Sequence, residues 1–343
     1  MQQAENYSDR STGLTIFGIL EIGLGGLSLL LIPLMLLGAA MSRKVAGGPL
    51  PAGSYVASIC SYFFLAATLI TLGIGSIQAR RWARALNLIL SWAALIFGVG
   101  TTIAMAVLLP SSFGAAFRQA AVNAPNAAPM PTGVAAVILT LIIVFFSVLF
   151  VAVPLAFLLF FSRKDVEATC RRRDPVERWT DRSPLPVLAV SMLFAFGAVY
   201  ALLLAVTTPL FPLFGKYLTG MPAAAVLIAL AALDGYLAFA FYHLRLLGWR
   251  IAIGVLALRM ISTILTYRRD DLLRAYSNMG WSQAHVDMMR TNPAFRSGLG
   301  MLWWGVGLSV VLLGYLIWVK RYFKTPAPQD AMTDAPTTPG IAF

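Results

Sequence analysis

Eight stretches of this chain are apolar for about 18 residues or more, at roughly 14–40, 54–78, 85–109, 134–161, 186–209, 222–244, 250–267 and 300–319. Each is long enough to cross ~30 Å of hydrocarbon as a helix. Inside hydrocarbon only a helix or a closed barrel satisfies its own backbone. The runs mix Leu, Ala, Ile, Val and Phe with scattered Gly and show no period-two alternation, which excludes a membrane barrel. The expected fold is therefore all-α, a polytopic membrane protein of eight transmembrane helices. Composition agrees, since only 12% of the residues are charged where a soluble chain carries roughly a quarter. Glu5, Asp9 and Arg10 precede the first run, which is also too long for a signal core despite "GAAM" at 38–41. It is read as the first span.

A net charge of +12 raises the question of nucleic acid. The arginines sit beside the apolar runs, and no basic stripe carries interleaved aromatics, so the expected partner is the lipid bilayer and not nucleic acid. With the N-terminus inside, sixteen Lys and Arg fall on cytoplasmic segments and nine on outer ones, while Arg259 lies within a span. That bias predicts a cytoplasmic N-terminus and C-terminus.

One basic-aromatic arrangement occurs twice, in "RRWARALNLILSW" (80–92) and "RLLGWRIAIGVLALR" (245–259). Both are read as short cytoplasmic turns, with Arg80, Arg81, Arg84, Arg245 and Arg250 at anionic headgroups and Trp82 and Trp249 at the boundary. Span one maps to span five at an offset near 172, span two to span six near 168, and Trp82 to Trp249 at 167. The expected architecture is two parallel four-helix repeats, 1–162 and 186–321. Between them 163–185 is read as a charged cytoplasmic linker, and 322–343, rich in Pro, Thr and Asp, as a disordered tail.

The segments "ATCRRRDPVERWTDRSPLPVLA" and "YSDRSTGLTIFGILEIGLGG" resemble uncharacterised multi-pass proteins of bacterial inner membranes. The resemblance covers most of the chain. It implies a bacterial inner-membrane location and a multi-pass topology, and it brings no catalytic motif.

A charge at mid-bilayer costs at least ~2.5–3.5 kcal/mol, so three residues stand out: Glu21, Asp234 and Arg259. Asp234 and Arg259 lie about 12.5 residues on either side of a turn expected near 246–247, which sets both roughly 19 Å along antiparallel helices. An ion pair is expected, either as a register lock or as an ion, proton or polar-substrate site. The repeat offsets give Ala66 and Trp92 as their counterparts. Glu21 is expected to reach headgroups or the arginines of the 80–84 turn, with a polar cavity as the rival reading. The outer loop 268–298 is expected to form an amphipathic helical hairpin, capped by Asp270 or Asp271 and by Ser282, with Gly280 ending its first helix. It serves as a lid or as a surface for a protein partner.

No H-E-x-x-H, G-x-S-x-G or G-x-x-x-x-G-K-[ST] pattern occurs. Two histidines and the two cysteines Cys60 and Cys170 supply no metal set. The expectation is a non-enzymatic integral membrane protein with a structural, interaction or sensing role, without catalytic residues, cofactor or metal. The alternative is a transporter or channel for a small solute or ion using Asp234 and Arg259. The sequence sets no oligomeric state.

Overall fold

The computed structural model describes residues 8–45, 52–123, 132–267, 272–291 and 299–323. Eight of its helices are long and apolar enough to cross a membrane. The first three are α1 (Ser11–Val45), α2 (Ala52–Ile77) and α3 (Arg81–Asn123). The fourth span joins α4 (Thr132–Ser147) to α5 (Val153–Phe161) through one π-helical turn, Val148–Ala152. Pro154 follows directly, and its ring and missing N–H disturb the i−4 ladder just before it. Pro33, by contrast, lies inside α1 without ending it.

After a short helix α6 (Lys164–Arg173) and a 3₁₀ turn (Trp179–Asp181) come α7 (Leu185–Thr207), α8 (Met221–Tyr242) and α9 (Leu246–Tyr267). Two short helices, α10 (Leu272–Asn278) and α11 (Gln283–Thr291), precede the last span, α12 (Leu299–Val319). Spans alternate in direction. The end where α1 begins is called proximal, and the opposite end distal.

The all-α expectation misses one element. Between α7 and α8 at the distal end lies an antiparallel hairpin, β1 (Leu210–Leu213) and β2 (Lys216–Thr219), with Leu210 opposite Thr219. Its turn residues Phe214 and Gly215 both have positive φ, 43° and 87°, as a tight hairpin turn requires. Phenylalanine rarely adopts this conformation, and α9 holds it there. The Phe214 N–H donates to Ser262 Oγ at 3.0 Å and the Gly215 N–H to Thr266 Oγ1 at 3.1 Å.

Helices in hydrocarbon gain little from burying apolar surface against one another, so close backbone approach does much of the holding. Here α1 and α2 touch through glycines. A Cβ on Gly73 would stand 2.6 Å from the Gly18 carbonyl oxygen, and one on Gly18 the same distance from that of Gly73. Gly98 meets the backbone of Phe150, and Gly53 meets Thr207, which joins α2 to α7. Gly23, Gly26 and Gly307, by contrast, face open space.

The proximal turns α2–α3 and α8–α9 are built alike. Ala79 and Leu244 take φ of 51° and 53°. The N–H of each bonds to the carbonyl three residues back, Ser76 or Phe241, and the next N–H, of Arg80 or Arg245, bonds five back to Gly75 or Ala240. This double bond pattern ends a helix on a left-handed residue. Behind each turn a Gly–Ala contact closes the hairpin, Gly75 on Ala83 and Gly248 on Ala240. All these matched positions are 165 residues apart, against offsets of 167–172 read from the apolar runs and tryptophans.

Two buried clusters sit toward the proximal end. One gathers Leu14, Leu88, Phe157, Phe161, Val166 and Cys170 from α1, α3, α5 and α6. The other gathers Val187, Leu237, Phe241, Ala252, Leu316 and Val319 from α7, α8, α9 and α12. Phe323, placed by the sequence in a disordered tail, instead packs its ring 5.5 Å from Phe241. The rest of that tail, 324–343, lies outside the described residues.

Replacing Gly73 with Val should force α1 and α2 apart and cost about 1–3 kcal/mol. Thermal unfolding in detergent should show a clearly lowered midpoint, whereas Gly26→Val, facing open space, should leave it in place.

Candidate functional site

Asp234 and Arg259 meet as the sequence predicts. One Arg259 nitrogen, Nη2, donates to both carboxylate oxygens at 2.9 Å. The geometry differs from the expectation, however. The hairpin turns at His243–Arg245 and not at 246–247, so Asp234 lies ten residues before Leu244 and Arg259 fifteen after. At 1.5 Å per residue their Cα atoms differ in height by roughly 7–8 Å. The pair still closes because Cα–Cβ bonds tilt toward a helix N-terminus. Asp234 leans distally from α8 and Arg259 leans proximally from α9, and the long arginine spans the remainder.

The Asp234 side chain is 4% exposed and that of Arg259 34%. Gly197 of α7 completes the enclosure, since a Cβ there would stand 3.3 Å from Asp234 Oδ2. Arg259 Nε is buried and has no hydrogen-bond partner. At the 165-residue offset of the two turns, Asp234 and Arg259 fall opposite Leu69 and Ala94, where the offsets read from the sequence gave Ala66 and Trp92; all four are apolar.

Glu21 does not reach the arginines of the 80–84 turn. It is 1% exposed and accepts a hydrogen bond from Ser76 Oγ at 3.2 Å, and Ser76 in turn accepts one from Asn87 Nδ2 at 2.9 Å. The trio ties α1, α2 and α3 together below the first proximal turn. Gly73 makes room for it, because a Cβ there would sit 3.1 Å from Glu21 Cβ. Glu21 Oε1 is buried without a partner. Ser61, Thr68 and Thr71 of α2 each donate to the carbonyl four residues back on their own helix.

The first-half anchors also need correction. Arg80, Arg81 and Arg84 turn inward onto the linker. Arg84 bonds Glu167 at 3.0 Å and the Phe161 carbonyl at 3.2 Å. Arg81 pairs with Asp181 at 3.3 Å and Arg80 with Asp174 at 3.7 Å. The N-terminal approach joins them through Arg10 to Asp165 at 3.6 Å and Arg173 to Asp9 at 3.5 Å. Residues 163–185, the charged linker of the sequence, therefore fold into a strap along the proximal end. Acids in the first turn of α6 and arginines in its last match the helix dipole. The strap also reaches the second half, where Ser183 Oγ donates to the Tyr242 carbonyl at 2.7 Å.

Asp174 is the strap's pivot. The side-chain hydrogen bonds from Arg178, then the Arg81 N–H and the charge of Arg80, hold its carboxyl below its ordinary value of 3.8. A depressed carboxyl stabilises the folded state above its unfolded value, and that contribution is lost as pH falls through the folded one. The strap contact is thus complete at neutral pH. Burial pushes the nearby Cys170 thiol up to about 11.

In the second half Trp82's partner in the motif, Trp249, does more than mark a boundary: its Nε1 donates to the Leu316 carbonyl at 2.7 Å. Arg245 and Arg250 remain exposed. At the distal end α10 and α11 form the expected helical pair. Gly280 has φ 83°, and Ser282 immediately precedes α11. Asp270 and Asp271 lie outside the described residues. A cleft of about 270 Å³ opens between this pair and the hairpin neck, lined by Thr207, Thr208, Thr219, Asn278, Met279 and Trp281.

Arg259→Ala should leave a buried carboxylate unpaired and cost about 3–5 kcal/mol. The double change Asp234→Leu/Arg259→Met should recover most of that loss, and a double-mutant cycle on thermal stability reads the coupling directly. For the strap, Asp174→Asn should raise the labelling rate of Cys170 by a water-soluble maleimide at least tenfold (an order-of-magnitude figure), with Cys60 replaced by Ser.

No family model, curated protein or solved structure matches the chain.

Proposed function

We propose that this chain is a non-enzymatic integral protein of a bacterial inner membrane, with a structural, interaction or sensing role. Its spans form two parallel four-helix repeats, and the proximal end with both termini faces the cytoplasm. The matched proximal turns, with the same hydrogen bonds and the same Gly–Ala contact at one offset, support the repeat. The Lys and Arg bias supports the orientation.

The observation that carries the reading is the closure of Asp234 on Arg259. Both carboxylate oxygens are engaged by one guanidinium nitrogen, and the carboxylate is sealed. A charge pair spent in this way fixes the register of two helices, and its burial keeps the carboxylate from a passing ion. The strap works in the same sense, since its Asp165, Asp174, Asp181 and Glu167 pair with Arg10, Arg80, Arg81 and Arg84. What remains for partners is the outer helical pair within 268–298 and the proximal rim of the second half.

A transport reading needs water at the depth of Arg259, and that is measurable. Thr263 sits one turn beyond Arg259, and its hydroxyl bonds the Arg259 carbonyl at 2.8 Å. With Cys60 and Cys170 replaced by Ser, Thr263→Cys in proteoliposomes should resist membrane-impermeant thiol reagents applied from either side. Labelling at the rate of an exposed thiol would establish a polar path and put transport first.

A further inference from the structure

The two halves divide the charge of the proximal rim unevenly. On the first half Arg10, Arg80, Arg81 and Arg84 each face a strap carboxylate. On the second half Arg245, Arg250, Lys320 and Arg321 stand at the proximal ends of α8, α9 and α12. The sequence has no Asp or Glu between 235 and 269 or between 288 and 329. None of these four cations makes an ion pair with a described residue.

Three of them rest on rings instead, and Arg250 is exposed beside them. The Arg245 guanidinium lies 5.0 Å from the Phe239 centroid, Lys320 Nζ 4.7 Å from that of Trp249, and the Arg321 guanidinium 3.9 Å from that of Trp318. A ring face orients a cation without neutralising its charge and leaves N–H donors for an acceptor on the other side. The rings are themselves fixed, Trp249 by its bond to Leu316 and Trp318 by stacking 5.6 Å from Tyr315. Beside the cations the same surface exposes Leu246, Leu247, Ile317 and Trp318.

We propose that this rim is a binding site for an anionic phospholipid. The headgroup phosphate accepts from Arg245, Arg250, Lys320 and Arg321, and the acyl chains lie along Leu247, Ile317 and Trp318. A phospholipid is the occupant because the surface presents fixed cations and exposed apolar side chains side by side. Free phosphate or an acidic peptide would satisfy only the first. The inference rests on the bilayer placement proposed above and needs neither the repeat nor the orientation. It also assigns different work to the halves, one neutralised from within by the strap and the other from the membrane.

The test uses the full chain purified in neutral detergent. Retention of dioleoylphosphatidylglycerol against dioleoylphosphatidylcholine is read by native mass spectrometry. The wild type should prefer the anionic lipid by at least about tenfold, since each surface cation is worth roughly fivefold. The variant Arg245→Gln/Arg250→Gln/Lys320→Gln/Arg321→Gln should lose the preference, whereas Arg163→Gln/Lys164→Gln/Arg182→Gln, which removes exposed strap charges, should keep it. If the fourfold variant fails to fold, Arg250→Gln alone should show about a fivefold loss. Equal retention of the two lipids, or a preference that survives in the rim variants, overturns the site. Displacement of the anionic lipid by millimolar inorganic phosphate would mark a free-anion site and overturn the lipid assignment. Carbonate-resistant sedimentation with membranes tests the bilayer placement separately, so a membrane-embedded chain without lipid preference refutes the site alone.

Discussion

A hydrogen-bonding group inside hydrocarbon has no water to fall back on, and that constraint orders the interior of this bundle. Most hydroxyls on the spans meet it locally: Ser28, Ser58, Thr68, Ser147, Thr207 and Ser309 each donate to the carbonyl four residues back. Such bonds need no second helix and say nothing about packing. A few polar groups bond across helices instead. Ser191 bonds the Ala238 carbonyl across α7 and α8, Ser76 bonds Glu21 across α2 and α1, and Arg259 bonds Asp234 across α9 and α8. Apolar contact alone leaves helices free to slide, because lipid tails offer nearly the same surroundings. These few bonds remove that freedom.

Close approach and polar bonding depend on each other here. Glu21 meets Ser76 because Gly18 and Gly73 let α1 and α2 come together beside it. Asp234 is enclosed because Gly197 leaves space on α7. At the membrane ends the same coupling runs through backbone turns. The hairpin turn at Phe214 and Gly215 is held in its left-handed conformation by two hydroxyls of α9, one of which, Ser262, also donates to the Pro212 carbonyl at 3.0 Å. A β-element at a membrane edge is stable in this form because α9 supplies partners for its turn N–H groups.

How much of this was legible in the chain itself depends on the range of the interaction. The eight spans were readable because each follows from its own composition, and all eight appear. The Asp234–Arg259 pair was readable because only one short turn separates its helices. The prediction survived a misplaced turn because arginine reaches across the error. Glu21 was misassigned because its donor Ser76 lies 55 residues away and Asn87, which bonds Ser76 in turn, lies on a third helix, and no local pattern announces either. The strap escaped for the same reason. Its signs of charge were plain, but the pairing of Glu167 with Arg84 joins positions 83 residues apart. The β-hairpin was hidden by Pro209 and Pro212, residues that argue against a strand and are tolerated where the pair of strands has only edges.

The proposed repeat separates what two halves can share from what they cannot. A left-handed turn closed by a Gly–Ala contact uses backbone and methyl groups alone, so the same turn fits either membrane-spanning pair. Polar locks do not transfer in this way. Ser76 and Asn87 match Phe241 and Ala252 at the turn-based offset, and Asp234 and Arg259 match Leu69 and Ala94. Installing half of a lock would bury an unpaired group at a cost of several kcal/mol, so each lock has to arise whole, in one half. The same logic reaches the rim: the strap's carboxylates pair with one set of proximal arginines, whereas the basic surface of the other half makes no ion pair among the described residues and takes its counter-charge, in the site proposed above, from lipid.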